Sequence, residues 1–417
     1  MKVLSIQKIL VVAESINVDD SSGSKANVAL ITSLKKVGFD LRVLHYTRKD
    51  IQLEGVQCLS IPENRSSLNF LLSRIQRKLQ HWFNWNLAKY LEPVFGFSFT
   101  FFNDVESIRT ALKHHQDFNP DLVLTLSKGA SFRPHYAVLN FPCFHDKWMA
   151  YIHDPYPFHY YPEPYKWSEP GYSKKIEFFN ELAEKCRWAA FPSLLLMEWM
   201  VKKYSEFQAK SVILPHQLSD IQISAELPEF FAPDKFTVMH AGNLMKQRPP
   251  FHLINAFQKF LKNAPEARHK AQLLLIGNSS YHKIELDEVS KSAEAIIIRN
   301  YLEYEKTQTL QKSVAVNVIL ESKAEISPFL PGKFPHCIAA EKPILLLGPK
   351  NSESRRLLGE DYKYWSETAD ELKISKLIED LYYNWISHRK DFKMEREDLK
   401  KYLSADRLKL EIEKILN

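Results

Sequence analysis

The strongest constraint on the fold is a recurrence. Short, almost wholly apolar runs are each closed by a small or polar turn and followed by a stretch with helical spacing. The runs fall at residues 9–13, 41–45, 119–126, 148–152, 189–192 and 212–215, and again at 236–240, 272–276, 295–298, 314–320 and 343–347. Apolar runs of this length suit strands covered on both faces, the condition of a parallel sheet between helices. The helical stretches between and after them are 25–37, 177–187, 194–204, 251–263 and 305–312, with two more at 369–388 and 406–416. This alternation predicts an α/β chain of doubly wound, Rossmann-like units with ligands beyond the carboxyl ends of the strands. At 417 residues the chain exceeds the ~250–300 at which a single core stops growing, so two such domains are expected. The boundaries read as 1–216 for the first, 217–234 for a polar, proline-containing linker and 235–417 for the second.

Several classes are disfavoured. No apolar run approaches the ~18 residues of a membrane span, and 8–13 is too short and wrongly flanked for a signal peptide, so a cytoplasmic protein is expected. Cys58, Cys143, Cys186 and Cys337 are far apart without CxxC spacing, which suggests neither a zinc site nor a disulfide framework. No DxD pair or His/Cys cluster suggests a metal site. The net charge of +6 divides as +5 through Pro215 and +1 beyond it, without the concentrated stripe of a nucleic-acid binder. No GxGxxG follows Ala13, which argues against a dinucleotide oxidoreductase.

Residues 64–91 are unusual. Leu68, Leu71, Leu72, Ile75, Leu79, Trp82 and Phe83 recur at helical spacing, Arg74, Arg77, Lys78 and His81 take the other side, and the stretch holds no Asp or Glu. A basic amphipathic helix of this kind either packs on the core with a solvated cationic face or lies on an anionic membrane surface or polyanionic acceptor. The aromatic group at 95–102 extends either the core or an acceptor pocket. The Tyr-, Pro- and Trp-rich stretch 156–172 reads as a long loop over the ligand site.

The segment 324–349, AEISPFLPGKFPHCIAAEKPILLLGP, reads as a loop with Pro328, Pro331 and Gly332, a short helix opening at Lys333 and a strand. A helix start leaves backbone N–H groups facing outward, and Lys333 adds a charge, so an anion such as a diphosphate fits there. The segment resembles the donor-binding pattern SPxLPGKxxEYxAxGKPI of GT-B fold glycosyltransferases, especially the retaining enzymes of family 4. The resemblance extends to the first strand, loop and helix with Gly23, to the Asn-Pro-Asp entry at 119–121, to the His153-Asp154 strand exit and to the end of the first domain at 212–216. It implies two Rossmann-like domains facing a central cleft, with the first on the acceptor side, the second holding the nucleotide-sugar donor, and the last helix crossing back to the first.

Carried over by resemblance, Gly242-Asn243-Leu244-Met245-Lys246-Gln247-Arg248 corresponds to a GRLxxxKG segment that neutralises the donor diphosphate. Asn243 stands at its arginine position and Arg248 at its lysine position, with Lys246 nearby. Asn300, Tyr301 and Leu302 meet the base, and Pro331 and Gly332 belong to the diphosphate loop. His336 occupies the place of the glutamate that holds the ribose hydroxyls, with Glu325 or Glu321 as possible substitutes, and Glu341 replaces a glycine. The implied function is transfer of a hexosyl group from a nucleotide sugar, UDP- or GDP-linked, to a glycan or lipid-linked acceptor. Transfer would proceed with retention and without metal or other cofactor, in polysaccharide or glycolipid assembly at the inner face of a membrane. His153, Asp154, Arg248 and Lys333 are the catalytic candidates, with Asp154 setting the His153 tautomer. The departures leave open a non-catalytic nucleotide-sugar-binding homologue, and the fold leaves open a nucleotide-sugar epimerase.

Overall fold

The structure is a computed structural model that describes residues 7–83, 87–157, 169–218, 226–292, 295–389 and 391–416. Among these the chain forms two compact units, one running through Gln217 and including the segment from Leu403 onward, the other Leu218–Tyr402. No described helix is long and apolar enough to cross a membrane.

The first unit is built on seven strands: β1 (Lys8–Ala13), β2 (Asp40–His45), β3 (Gln57–Ser60), β4 (Leu122–Leu126), β5 (Trp148–Tyr151), β6 (Trp188–Phe191) and β7 (Ser211–Ile213). They pair in parallel in the order β3-β2-β1-β4-β5-β6-β7. The order reverses between β1 and β4, and beyond their carboxyl ends lies the crevice where doubly wound sheets take their ligands. Every residue of β4 and β5 is buried, as continuous apolar runs require. The last helix, Ala405–Leu416, places Leu408 and Ile412 in this unit's core with Ile31 and Leu34.

The second unit repeats the plan with β8 (Phe236–Ala241), β9 (Ala271–Ile276), β10 (Ile296–Arg299), β11 (Val316–Leu320), β12 (Ile326–Ser327), β13 (Ile344–Leu347), β14 (Asn351–Ser352) and β15 (Trp365–Ser366). Six of them form a sheet in the order β10-β9-β8-β11-β13-β15, and β12 pairs with β14 separately. The switch point falls between β8 and β11. A doubly wound α/β fold with two Rossmann-like units is therefore present.

Several local expectations are revised. Helix α1 spans Ser22–Lys36, starting earlier than 25 because the Ser21 side chain accepts from Ser24 N and caps it. Gly23 therefore sits in a helical turn and not in a flexible loop. The stretch 64–91 is not one helix: α2 covers Leu68–Phe83 and α3 covers Ala88–Phe95, and residues 84–86 lie outside the described set. Helix α4 (Phe99–His114) follows directly. The aromatic group near it is core, with Phe97 stacked on Phe101 at 4.0 Å and both edge-on to Tyr136. Most of the loop expected at 156–172, and residues 219–225 of the linker, lie outside the described residues.

Candidate functional site

In the first unit the exits of β1, β4 and β5 meet. A Cβ on Gly23 would stand 2.9 Å from the backbone nitrogen of Gly129, so the start of α1 packs against the β4 exit at a distance that only glycine permits. The loop before α1 is braced by Ser15 and Asn17, whose side chains donate to Asp20 at 2.7 and 3.0 Å. Asn27, buried on α1, donates from Nδ2 to the carbonyls of Ser15 and Ser127, each at 3.1 Å. Both its amide hydrogens are thereby committed, and its Oδ1 faces His153 Nε2 at 3.0 Å. His153 must then carry its proton on Nε2, leaving Nδ1 as a buried acceptor with no hydrogen-bond partner among the described residues. Burial, with His216 and His135 adding to it, holds the His153 pKa well below the ordinary range, so the ring is neutral. His216 stacks on it at 5.9 Å. The expectation that Asp154 sets the tautomer is corrected: Asn27 does so, while the Asp154 carboxylate lies against Gly129, 3.6 Å from where a Cβ would be.

In the second unit Lys333 lies at the exit of β8. Its Nζ is 3.3 and 3.4 Å from the two ring nitrogens of His240, and a Cβ on Gly242 would stand 2.6 Å from it. His240 Nδ1 points at the carbonyl of Val318 at 3.3 Å, which assigns its proton to Nδ1 and leaves Nε2 to accept from Lys333. Burial, with Arg248 adding to it, pulls the Lys333 pKa down to about 7. Arg248 is within electrostatic reach of Lys333, His240 and Glu321. Neither Lys333 nor Arg248 forms an ion pair among the described residues, so the β8 exit concentrates positive charge without a paired carboxylate. Such a site is suited to an anion. The backbone contributes less than the helix start at Lys333 suggests. That helix is only Phe334–Ala339, the Phe334 N–H is taken by the Pro331 carbonyl at 2.8 Å, and Pro335 has none.

Other expected residues have different surroundings. Asn243 accepts from Asn278 N at 3.2 Å and Leu244 N donates to Asn278 O at 2.8 Å, which staples the β8 and β9 exits together. Asn300 accepts from Ser279 Oγ at 2.9 Å and ties the β10 exit to the same loop. Tyr301 is exposed beyond β10, while Leu302 packs under Phe231 and Met239. Lys246 and Glu325 are exposed, and Gly332 is half-buried. His336 has Tyr304 OH 3.2 Å from Nε2 and Gln308 Nε2 3.4 Å from Nδ1, so it belongs to a small polar cluster of its own.

Glu321, which follows β11, is the buried carboxylate of this end of the sheet. Ser354 Oγ donates to its Oε1 at 2.6 Å, and the carboxylate fills the space that a side chain at Gly348 would take. Burial pushes its pKa up to about 7, opposed by the serine hydroxyls and Arg248. Among residues the sequence did not single out, Asn27 and His240 are central. Both sit where α1 or a strand reaches the switch point, but nothing in their local sequence distinguishes them from other polar residues.

Two Rossmann-like units with these sheet orders, each with its polar cluster at the switch point, define the GT-B fold. Solved structures of that fold align over nearly the whole chain. Sucrose-phosphate synthase from Thermosynechococcus elongatus aligns with TM-score 0.65 at 11% identity, covering 98% of both chains. Anabaena HepE, solved in complex with UDP and glucose, gives 0.63 at 12% identity over 98% of this chain and 99% of that one. The E. coli trehalose-6-phosphate protein bound with UDP-2-fluoro glucose gives 0.61 at 11% over 99% of each. No family model matches the chain, and no curated protein matches it by sequence.

Proposed function

We propose that this chain is a glycosyltransferase that moves a hexosyl group from a nucleotide-sugar donor to a glycan or lipid-linked acceptor. The observation that carries the proposal is the Lys333 ammonium seated on Gly242 and His240 with Arg248 close by, at the switch point of the second unit. Breaking the bond between the sugar and the diphosphate sends its electron pair to the leaving phosphate oxygen. Preorganised cations there stabilise the transition state more than the ground state. With those charges supplied by Arg248 and Lys333, transfer proceeds without a metal ion or other cofactor. UDP is favoured over GDP because two of the aligned structures hold UDP or a UDP-sugar. His153 Nδ1, held as an acceptor by Asn27, orients a hydroxyl of the transferred sugar or of the acceptor. Retention, a role in polysaccharide or glycolipid assembly, and work at the cytoplasmic face of a membrane complete the proposal.

The test is a melting-temperature screen against UDP, GDP, ADP, dTDP and CMP and their sugars, followed by product detection with glycan and lipid-linked acceptors. A ligand bound only by the native state raises the melting temperature by mass action. One nucleotide and its sugar should stabilise the protein, and Lys333→Ala should remove the shift. A second possibility, donor binding without transfer, is favoured by His336 standing in the place of the ribose-binding carboxylate and by its engagement with Tyr304. Stabilisation by a nucleotide sugar with neither hydrolysis nor transfer would select it.

A further inference from the structure

Helix α2 turns much of its apolar side outward, with Leu72 and Leu79 half-buried at its edge. Its buried residues are Ser73 and Gln76, which face inward where α2 rests on α4. At 3.6 residues per turn, Leu68, Leu71, Ile75 and Trp82 form one stripe along the helix, and all four are exposed, Leu68 at 69% and Trp82 at 67%. Phe83 at the helix end and Tyr90 on α3 are exposed as well. A stripe of large apolar side chains turned to water along a helix marks a surface that is covered in use.

The charge around the stripe identifies the cover. Arg74, Lys78 and His81 flank its other side and are exposed. No carboxylate occurs between Glu63 and Glu92. Both of these are already engaged, Glu63 with Arg74 at 3.4 Å and Arg48 at 3.5 Å, and Glu92 with Lys175 at 3.2 Å. A second copy of the chain would set this cationic flank against its own like charges. A polyanionic glycan would satisfy the cations and leave the apolar stripe in water. An anionic lipid surface meets both needs, with the stripe in the acyl boundary, the cations at the headgroups and Trp82 at the interface. We infer that the outward face of α2 docks this protein on anionic lipid bilayers.

The test is co-sedimentation of the full chain with vesicles of phosphatidylcholine alone and of phosphatidylcholine mixed with phosphatidylglycerol. Binding to the mixed vesicles that weakens with added salt is expected, with little binding to phosphatidylcholine. The triple variant Leu71→Ser, Ile75→Ser, Trp82→Ser should lower the partition by at least roughly tenfold, since it removes the inserted apolar area. Arg74→Gln with Lys78→Gln should weaken binding and flatten its salt dependence. These side chains are exposed, so circular dichroism and the melting temperature should match the parent. Absence of binding to mixed vesicles, or binding unchanged in the triple variant, would overturn the inference. So would a dimer, seen by light scattering, that the triple variant dissolves while no vesicle binding occurs. The nucleotide-induced melting shift is an independent readout, so failure of membrane docking and failure of the donor site are distinguishable.

Discussion

Asn27 Oδ1 accepts from His153 Nε2 at 3.0 Å across 126 residues of chain, and both amide hydrogens of Asn27 are spent on the carbonyls of Ser15 and Ser127. The side chain therefore cannot turn, and the tautomer of a buried histidine is fixed from the neighbouring helix.

That bond should be visible in solution. In the parent, the nitrogen resonances of His153 should report a single neutral tautomer protonated on Nε2 at all pH values where the protein is folded. Asn27→Ala should give a mixture of tautomers and cost about 1–3 kcal/mol of stability by leaving buried carbonyls unpaired. His153→Ala should lower turnover by roughly 10²-fold, in the range for loss of one preorganised hydrogen-bonding group. A parent His153 that titrates near its ordinary pKa would refute the arrangement.

In the proposed donor site, Lys333 would set stability against binding. Its folded pKa of about 7 lies below the ordinary lysine value of 10.5, so the folded state binds fewer protons than the unfolded state between these values. The penalty for burying the charge is full below about 7, and stability rises as pH climbs from 7 toward 10.5. Lys333→Met should remove that slope, raise the melting temperature of the unliganded protein at pH 6, and abolish the shift given by a nucleotide diphosphate. In the parent, the bound diphosphate favours protonated Lys333, so affinity should weaken by up to about tenfold per pH unit above 7. Denaturation curves and titration calorimetry across this range check both.

Glu321 works in the opposite direction over a lower window. Its folded pKa of about 7 lies above the ordinary glutamate value of 4.5, so the folded state holds a proton that the unfolded state has lost. The contribution is whole below 4.5 and disappears as pH rises through about 7. It amounts to about 3 kcal/mol by the shift. Glu321→Gln keeps the hydrogen bond with Ser354 available and should flatten the stability profile between these limits, measured by urea unfolding.

Two neighbouring glycines should respond differently to alanine. At Gly277 a Cβ would stand 2.2 Å from the Gly242 carbonyl oxygen, which is backbone and cannot give way. Both glycines stand at positive φ, +156° at Gly242 and +141° at Gly277, where a side chain strains the backbone in either case, but at Gly242 the added Cβ would meet the end of the Lys333 side chain at 2.6 Å, which can swing aside. Gly277→Ala should cost roughly 1–3 kcal/mol or more. Gly242→Ala should unfold the protein less but weaken nucleotide binding, because the displaced ammonium no longer faces the anion. Equal losses of stability in the two variants would contradict the packing described.

The amino-acid sequence by itself located the buried strands of both sheets and their parallel character, since runs such as 9–13, 272–276 and 343–347 state their burial in local composition, but it missed the short or edge strands β3, β12, β14 and β15, whose polar residues carry no such signal. It also marked Lys333, because a proline-glycine turn before a lysine is a local pattern, whereas Arg248 was singled out only through the resemblance of residues 242–248 to a GRLxxxKG segment. It misplaced the start of α1 by reading a polar loop where Ser21 caps a helix. Tertiary structure alone decided which side chains meet: Lys333 and His240 are 93 residues apart, and Asn27 and His153 are 126 apart. No periodicity encodes such pairs, because they depend on strand order and on how closely glycines 23 and 242 let neighbouring elements approach. Nor can helical spacing say which way a stripe faces. The pattern of α2 is the same whether Leu71 and Ile75 meet a core or water, and only its seating on Ser73 and Gln76 turned them outward.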